Sequence, residues 1–153
     1  MPPKVPVTFT LDSTMATELQ RVQQFFAALD AAPLHSFPAA GERLDAPEGQ
    51  GVYAIYGRRG VRVLHVGRTV TGTKGLRQRL SNHLHGRSSF VTLHFDRDAT
   101  RIRSLRFKYV EIANPRIRAL VEAYAIGQYC PSHIGYARSV LEAKRLERGD
   151  GAA

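Results

Sequence analysis

The chain has 153 residues, 22 Lys and Arg against 13 Asp and Glu, a formal net charge of +9 and one cysteine. That length suits one domain with its own core, and a lone Cys130 excludes an internal disulfide framework and a multi-cysteine zinc site. No stretch approaches the roughly 18 apolar residues of a membrane helix and Met1–Thr10 has no signal-peptide pattern, so the expectation is a soluble cytoplasmic protein.

Charge is also unevenly placed. Between Gly57 and Arg118 lie 15 of the 22 basic residues, against only Asp96, Asp98 and Glu111. This density favours a polyanionic partner such as a nucleic acid. A solvated, arginine-rich surface would look the same, so charge does not by itself imply an enzyme.

A first helix is expected from about Thr14 to Ala32. Asp12, Ser13 and Thr14 offer caps, Met15, Leu19, Val22, Phe26 and Leu29 form an apolar stripe, and Pro33 ends it. Residues 33–50, rich in Pro, Gly and Ala, read as a connection. Gly51–Tyr56 (GVYAIY) and Val61–Val66 (VRVLHV) are two β-type runs around a turn at Gly57-Arg58-Arg59-Gly60. A helix from about Gly75 to Leu84 carries Leu76, Leu80 and Leu84. Residues 85–103 fit a short helix or a loop. Ser104–Ile112 alternates Leu105, Phe107 and Tyr109 with Arg106, Lys108 and Val110 and reads as a strand. Asn114 and Pro115 are a good cap and first residue for a helix reaching about Tyr129. A last helix, about Ala137–Arg148, precedes a Gly- and Ala-rich end. Strands and helices mix without recurring βαβ units. The expected fold is therefore α+β, a small, mainly antiparallel three-stranded sheet flanked by helices.

Several of these residues occur in a telling order. GVY at 51–53 is followed by HVG at 65–67. Arg79 and His83, four apart, share a helix face. Glu122 follows on a later helix, and Pro131 comes nine residues after it. Together these resemble the signature of the GIY-YIG nuclease superfamily, over roughly Gly51–Gly135. Two positions depart from it: His65 stands where the second signature has tyrosine, and Ile134, beside His133, stands where asparagine is usual. The implied organisation is an N-terminal extension with one helix (1–46), a GIY-YIG-like nuclease domain (47–137), and a C-terminal helix and tail (138–153).

The resemblance implies an endonuclease that hydrolyses DNA phosphodiester bonds with Mg²⁺ or Mn²⁺. Tyr53 would take the proton from the attacking water, Arg79 would hold the phosphate and Glu122 the metal. The physical chemistry is compatible. Mg²⁺ keeps waters and takes substrate phosphate as ligand, so one carboxylate suffices. Arginine grips phosphate oxygens bidentately. Poising a tyrosine, reference pKa about 10, near neutrality needs about 4 kcal/mol of differential stabilisation, or a neighbouring base. His65 is the expected acceptor, because imidazole titrates near neutrality, and His83 completes the catalytic set. Arg68, Lys74, Arg77 and Arg87 are the expected substrate-binding residues. Each has a plainer reading: Tyr53 as a half-buried strand aromatic, Glu122 as a carboxylate paired with Arg118, Arg79 as surface, His65 and His83 as structural, Cys130 as a small buried residue.

Rival assignments are weaker. Gly67–Lys74 (GRTVTGTK) lacks P-loop spacing. His65, His83, His85 and His94 lack metal-ligand spacing with cysteines. A non-catalytic nucleic-acid-binding domain on the same scaffold is the main alternative. It has no need of an acid facing a phosphate. DNA is the expected partner, single-stranded, branched or duplex, with RNA open. One site per chain would require two copies to cut both strands together.

Overall fold

The computed structural model describes residues 16–70, 74–95 and 98–134. The expected helix at Ala137–Arg148 and the caps expected at Asp12–Thr14 lie outside these residues. Helix α1 is Glu18–Ala31. Its cap is Thr17, whose hydroxyl accepts the Gln20 N–H while the Gln20 side chain accepts the Thr17 N–H, a capping box. Of the apolar stripe, Val22 and Leu29 are buried and Leu19 is exposed.

The remaining elements are β1 (His35–Ser36), β2 (Gly51–Tyr56), β3 (Val63–Arg68), α2 (Gly75–Leu84), α3 (Ser89–His94), a 3₁₀ helix (Ala99–Ser104), β4 (Arg106–Glu111) and α4 (Pro115–Tyr129). The ambiguous stretch after residue 85 thus holds two short helices. The last strand starts at Arg106 rather than Ser104. The sheet is antiparallel with order β1-β4-β2-β3. It has four strands rather than three, because His35 and Ser36 pair with Phe107 and Arg106. This two-residue pairing lies within a Pro-rich stretch too short to show alternation.

Strand β2 is buried along its whole length, as a central strand covered on both faces should be. On one face Tyr53, Ile55 and Phe107 pack against Leu76 and Leu80 of α2, Phe90 and Val91 of α3, and Ile102. On the other, Val52, Ala54, Tyr56 and Val66 meet Val22 and Leu29 of α1 and Ile117, Val121 and Ala125 of α4. The architecture is an α+β sandwich of helices around an open sheet. Among the described residues no helix is long and apolar enough to cross a membrane.

Hairpin register decides which side chains share a face. Strand β3 begins at Val63, two residues later than expected, so the connection is Gly57–Arg62, closed by the Gly57 N–H donating to the Arg62 carbonyl at 2.9 Å. Continued without interruption, the pairing Tyr56↔Val63 would put Tyr53 and His65 on opposite faces. A bulge between Ile55 and Tyr56 shifts the register, so Tyr53 pairs with Gly67 and Ile55 with His65. Cross-strand partners share a face, so Tyr53 and His65 do as well.

Leu80 is fully buried between α2 and the sheet. Leu80→Ala should cost about 2–5 kcal/mol, measured by chemical denaturation. A cost below about 1 kcal/mol would contradict the placement of α2 against the Tyr53 face.

Candidate active site

Strand β3 is the outer strand of the sheet. A cleft of about 240 Å³ opens along it, lined by His65, Val66, Gly67, Arg68 and Val70 of the strand and its extension, Arg79 and Ser89 from one face, and Glu122 and Ile126 of α4 from the other. A site at a sheet edge can draw side chains from helices on both faces, which explains how Arg79 and Glu122 come together.

Tyr53 is fully buried. Its ring lies across the glycine opposite it: a β-carbon on Gly67 would sit on the Tyr53 hydroxyl and 2.5 Å from ring atom Cζ. Only glycine leaves the phenol that space. The hydroxyl thereby reaches α2, where it is 2.8 Å from His83 Nε2. His83 Nδ1 is in turn 2.7 Å from Ser88 Oγ, which also accepts the Val91 N–H as the cap of α3. A serine hydroxyl can accept twice. This chain therefore accommodates a tautomer in which Tyr53 donates to Nε2 and Nδ1–H donates to Ser88.

The electrostatics of the pair are opposed. Burial pushes the Tyr53 hydroxyl up to about 12, although the charge and hydrogen-bonding capacity of Arg79 favour the phenolate. Burial holds His83 well below the usual imidazole range, and repulsion from His65, Arg79 and His133 adds to it. At neutral pH the tyrosine is protonated and His83 is neutral, a hydrogen-bond acceptor whose protonation burial and the neighbouring charges oppose.

His65 is beside this pair rather than in its hydrogen bond. Its ring stacks on Phe90, with centroids 4.9 Å apart and planes at 13°, and lies 5.9 Å from the Tyr53 ring. His65 Nδ1 is 3.0 Å from His133 Nδ1. The backbone holds His133 there, its N–H donating to the Leu64 carbonyl at 2.9 Å. The imidazole within hydrogen-bond distance of the Tyr53 hydroxyl is therefore that of His83, where His65 was the expected acceptor. The bulge puts Tyr53 and His65 on one face. The helix in front of that face brings His83 closer.

Arg79 lines the cleft, and its buried Nε has no hydrogen-bond partner among the described residues. An unsatisfied buried donor costs about 1–3 kcal/mol, a debt that an anion in the cleft would remove. Glu122 is half-buried, and burial raises its carboxyl above the usual range, against the charges of Arg68 and Arg79 and the Arg68 backbone N–H. The ion pair it makes is with Arg68, a loose 3.9 Å, whereas Arg118 donates to the carbonyls of Ile112 and Ala113. One shielded carboxylate in a cleft of about 240 Å³ leaves room for a hydrated Mg²⁺ or Mn²⁺. Among the described residues no three or more His, Cys, Asp or Glu are grouped to hold a metal, so such a cation would take its other ligands from water or substrate.

Of the residues singled out in the sequence, His65, Arg68, Arg79 and Glu122 line the cleft, and the buried Tyr53 and His83 pack behind its wall, against Gly67 and His65. Lys74, Arg77 and Arg87 do not line the cleft. Arg77 donates to the Ala46 carbonyl and to Glu48, bracing the loop before β2. Lys74 is exposed ahead of α2, and Arg87 is exposed beyond its end. Cys130 is exposed, not buried, and caps α4 with a left-handed backbone. Ser88 and His133 join the site unannounced. The Ser-Ser-Phe-Val stretch carried a cap signal for Ser88, but residues 85–103 showed no clear helical period.

No protein-family model matches the chain, and no curated protein matches it.

Gly67→Ala should destabilise the fold by about 1–3 kcal/mol, the usual cost of overpacking, through collision with the Tyr53 ring. That cost should shrink in a Tyr53→Leu background. Equal costs in both backgrounds, by urea denaturation, would show that the ring is not what the new methyl meets.

Proposed function

We propose that this chain is a metal-dependent endonuclease of the GIY-YIG type that hydrolyses DNA phosphodiester bonds. The observation that carries the reading is the Tyr53–His83 hydrogen bond, seated over Gly67 and adjoining a cleft that holds Glu122 and an arginine with a buried, unpartnered N–H. A buried tyrosine facing a neutral imidazole, a phosphate-sized cationic pocket and a lone carboxylate are what phosphodiester hydrolysis requires. We place the activity in the cytoplasm, in keeping with the single cysteine.

With its pKa near 12, Tyr53 is not a phenolate at rest. It acts as a relay: Tyr53 Oη takes the proton of the attacking water as its own proton passes to His83 Nε2. The new bond forms from water oxygen to phosphorus, and the bond from phosphorus to the leaving oxygen breaks. Ser88 holds the His83 ring so that Nε2 faces the phenol. Arg79 binds the phosphate oxygens and gains the partner its Nε lacks. A phosphate in the cleft also offsets the Arg79 charge felt by His83, which raises the imidazole's proton affinity when the proton arrives. Glu122, with Arg68 displaced toward substrate, would hold the divalent cation. When bound, that cation supplies Lewis-acid stabilisation of charge on the phosphate and the leaving oxygen.

Purified protein should cleave labelled DNA in Mg²⁺ or Mn²⁺ and not in EDTA. Glu122→Gln should abolish cleavage while DNA binding persists, because it removes the charge and keeps the shape. Tyr53→Phe and His83→Ala should each lower the rate by about 10²–10⁴. Binding without cleavage of single-stranded, branched or duplex DNA in any metal would make the chain a binding module instead.

The relay also fixes a pH dependence. His83 must be neutral to accept a proton, so protonation in acid stops the reaction. Its pKa is depressed, so the rate should hold through pH 6.5 and fall only well below it. An acid limb near 6.5 that disappears in His65→Gln would return the relay to His65.

A further inference from the structure

The connection between β2 and β3 reads Gly57-Arg58-Arg59-Gly60-Val61-Arg62, and its three arginines and Val61 are all exposed, the valine 81% so. The tip is built rather than slack. Gly60 has a left-handed backbone (φ 69°), its N–H donates to the Gly57 carbonyl at 2.9 Å, and it rests against Leu34 and the Arg106 side chain. Arg106, exposed and paired with Tyr56, adds a fourth guanidinium beside the turn. Among the described residues none of these four has an acidic partner. Like charges this close repel, and nothing in the fold's own packing calls for them.

We propose that this hairpin tip is a second nucleic-acid contact that grips the phosphate backbone of a double-helical arm of the substrate. The inference rests on the nuclease reading above for the position of the cut. Arg62 immediately precedes β3 and Arg68 ends it, six residues on, so at about 3.3 Å per residue the turn is about 20 Å from the Arg68–Glu122 end of the cleft, where the cut is placed. That separation equals about six steps of 3.4 Å along a DNA strand. Helices cover both faces of β2, so the part of the hairpin that can meet the major groove is the exposed turn Gly57–Arg62. Arg58, Arg59 and Arg62 then meet phosphates, and Val61 supplies the apolar contact that a thymine methyl or sugar edge accepts. Duplex is favoured over single strand because single-strand binders stack bases on exposed aromatics. Among the described residues the exposed large apolar side chains, Leu19, Val61, Val70, Leu93 and Ile134, are all aliphatic.

The test is equilibrium binding by fluorescence anisotropy in EDTA, so that it does not depend on cleavage. Wild type and the triple variant R58A/R59A/R62A are compared on hairpin-closed stems of about five and about twenty base pairs, the shorter spanning about 17 Å, and on a single strand of the longer length. Removing three phosphate contacts should lower the slope of log K against log salt by about 3 on the long stem, and lower affinity there at least tenfold. The short stem, unable to span cleft and tip, should bind both proteins alike, and the single strand should bind wild type more weakly than the long stem. R58K/R59K/R62K should keep most of the slope, which separates charge from fold, and matched thermal midpoints check folding. Equal affinity and slope for wild type and the alanine variant on the long stem would overturn the proposal. So would an equal loss on both stems, or tighter wild-type binding to the single strand. Length-dependent loss in a protein that cuts nothing would leave the tip standing and remove the nuclease reading. Cleavage with unaffected binding would do the reverse.

Discussion

The hydrogen bond between Tyr53 Oη and His83 Nε2, 2.8 Å long in the buried core, is the constraint around which the rest is arranged. It needs a strand residue and a helix residue 30 positions apart to meet through a sheet edge. That requires a glycine in β3 at the register position opposite Tyr53, and a helix packed tightly enough to deliver an imidazole at its C-terminal turn. Leu76 and Leu80 seat that helix, Gly67 clears the space, and Ser88 fixes the ring. The same burial that makes the contact possible raises the tyrosine and depresses the histidine. Packing and proton affinity are one fact seen from two sides.

Around that bond the site is electrostatically uneven. Two arginines, Arg68 and Arg79, and one carboxylate, Glu122, share a cleft. The loose Arg68–Glu122 pair and the unpartnered Arg79 Nε describe a site that is stable enough to form yet incompletely satisfied. A phosphate diester with a divalent cation would complete it: the anion for the arginines, the cation for the carboxylate. The functional proposal rests on this complementarity together with the ordered motifs of the sequence.

Much of the fold was legible in the sequence because its signals are local. The Asn114-Pro115 start of α4, the continuous apolar run of β2 and the leucine spacing of α2 each specify an element with no knowledge of its neighbours. Strand β1 was not legible, since two residues beside Pro33 and Pro38 carry no period. Nor was the bulge that sets Tyr53 and His65 on one face: pairing is a property of two strands, and either register was compatible with the residues between them. The site followed the same division. Tyr53, Arg79, His83 and Glu122 stood out by order and spacing. Which base meets the phenol did not, because His65 and His83 are equally reasonable by chemistry, and the approach of α2 decides between them. Arg77, Lys74 and Arg87 were chosen on charge, which does not say which way a side chain is engaged. Arg77 is spent on the loop before β2.

The central claim is that Tyr53 and His83 work as a single base. A double-mutant cycle on single-turnover cleavage tests it most directly, with Tyr53→Phe, His83→Ala and the double variant at saturating metal. Groups that act as a unit are strongly non-additive. The account predicts that the double variant is no slower than the slower single variant, within a few-fold. Losses that multiply would show two independent contributions and contradict the relay, as would a His83→Ala variant that cuts at the wild-type rate.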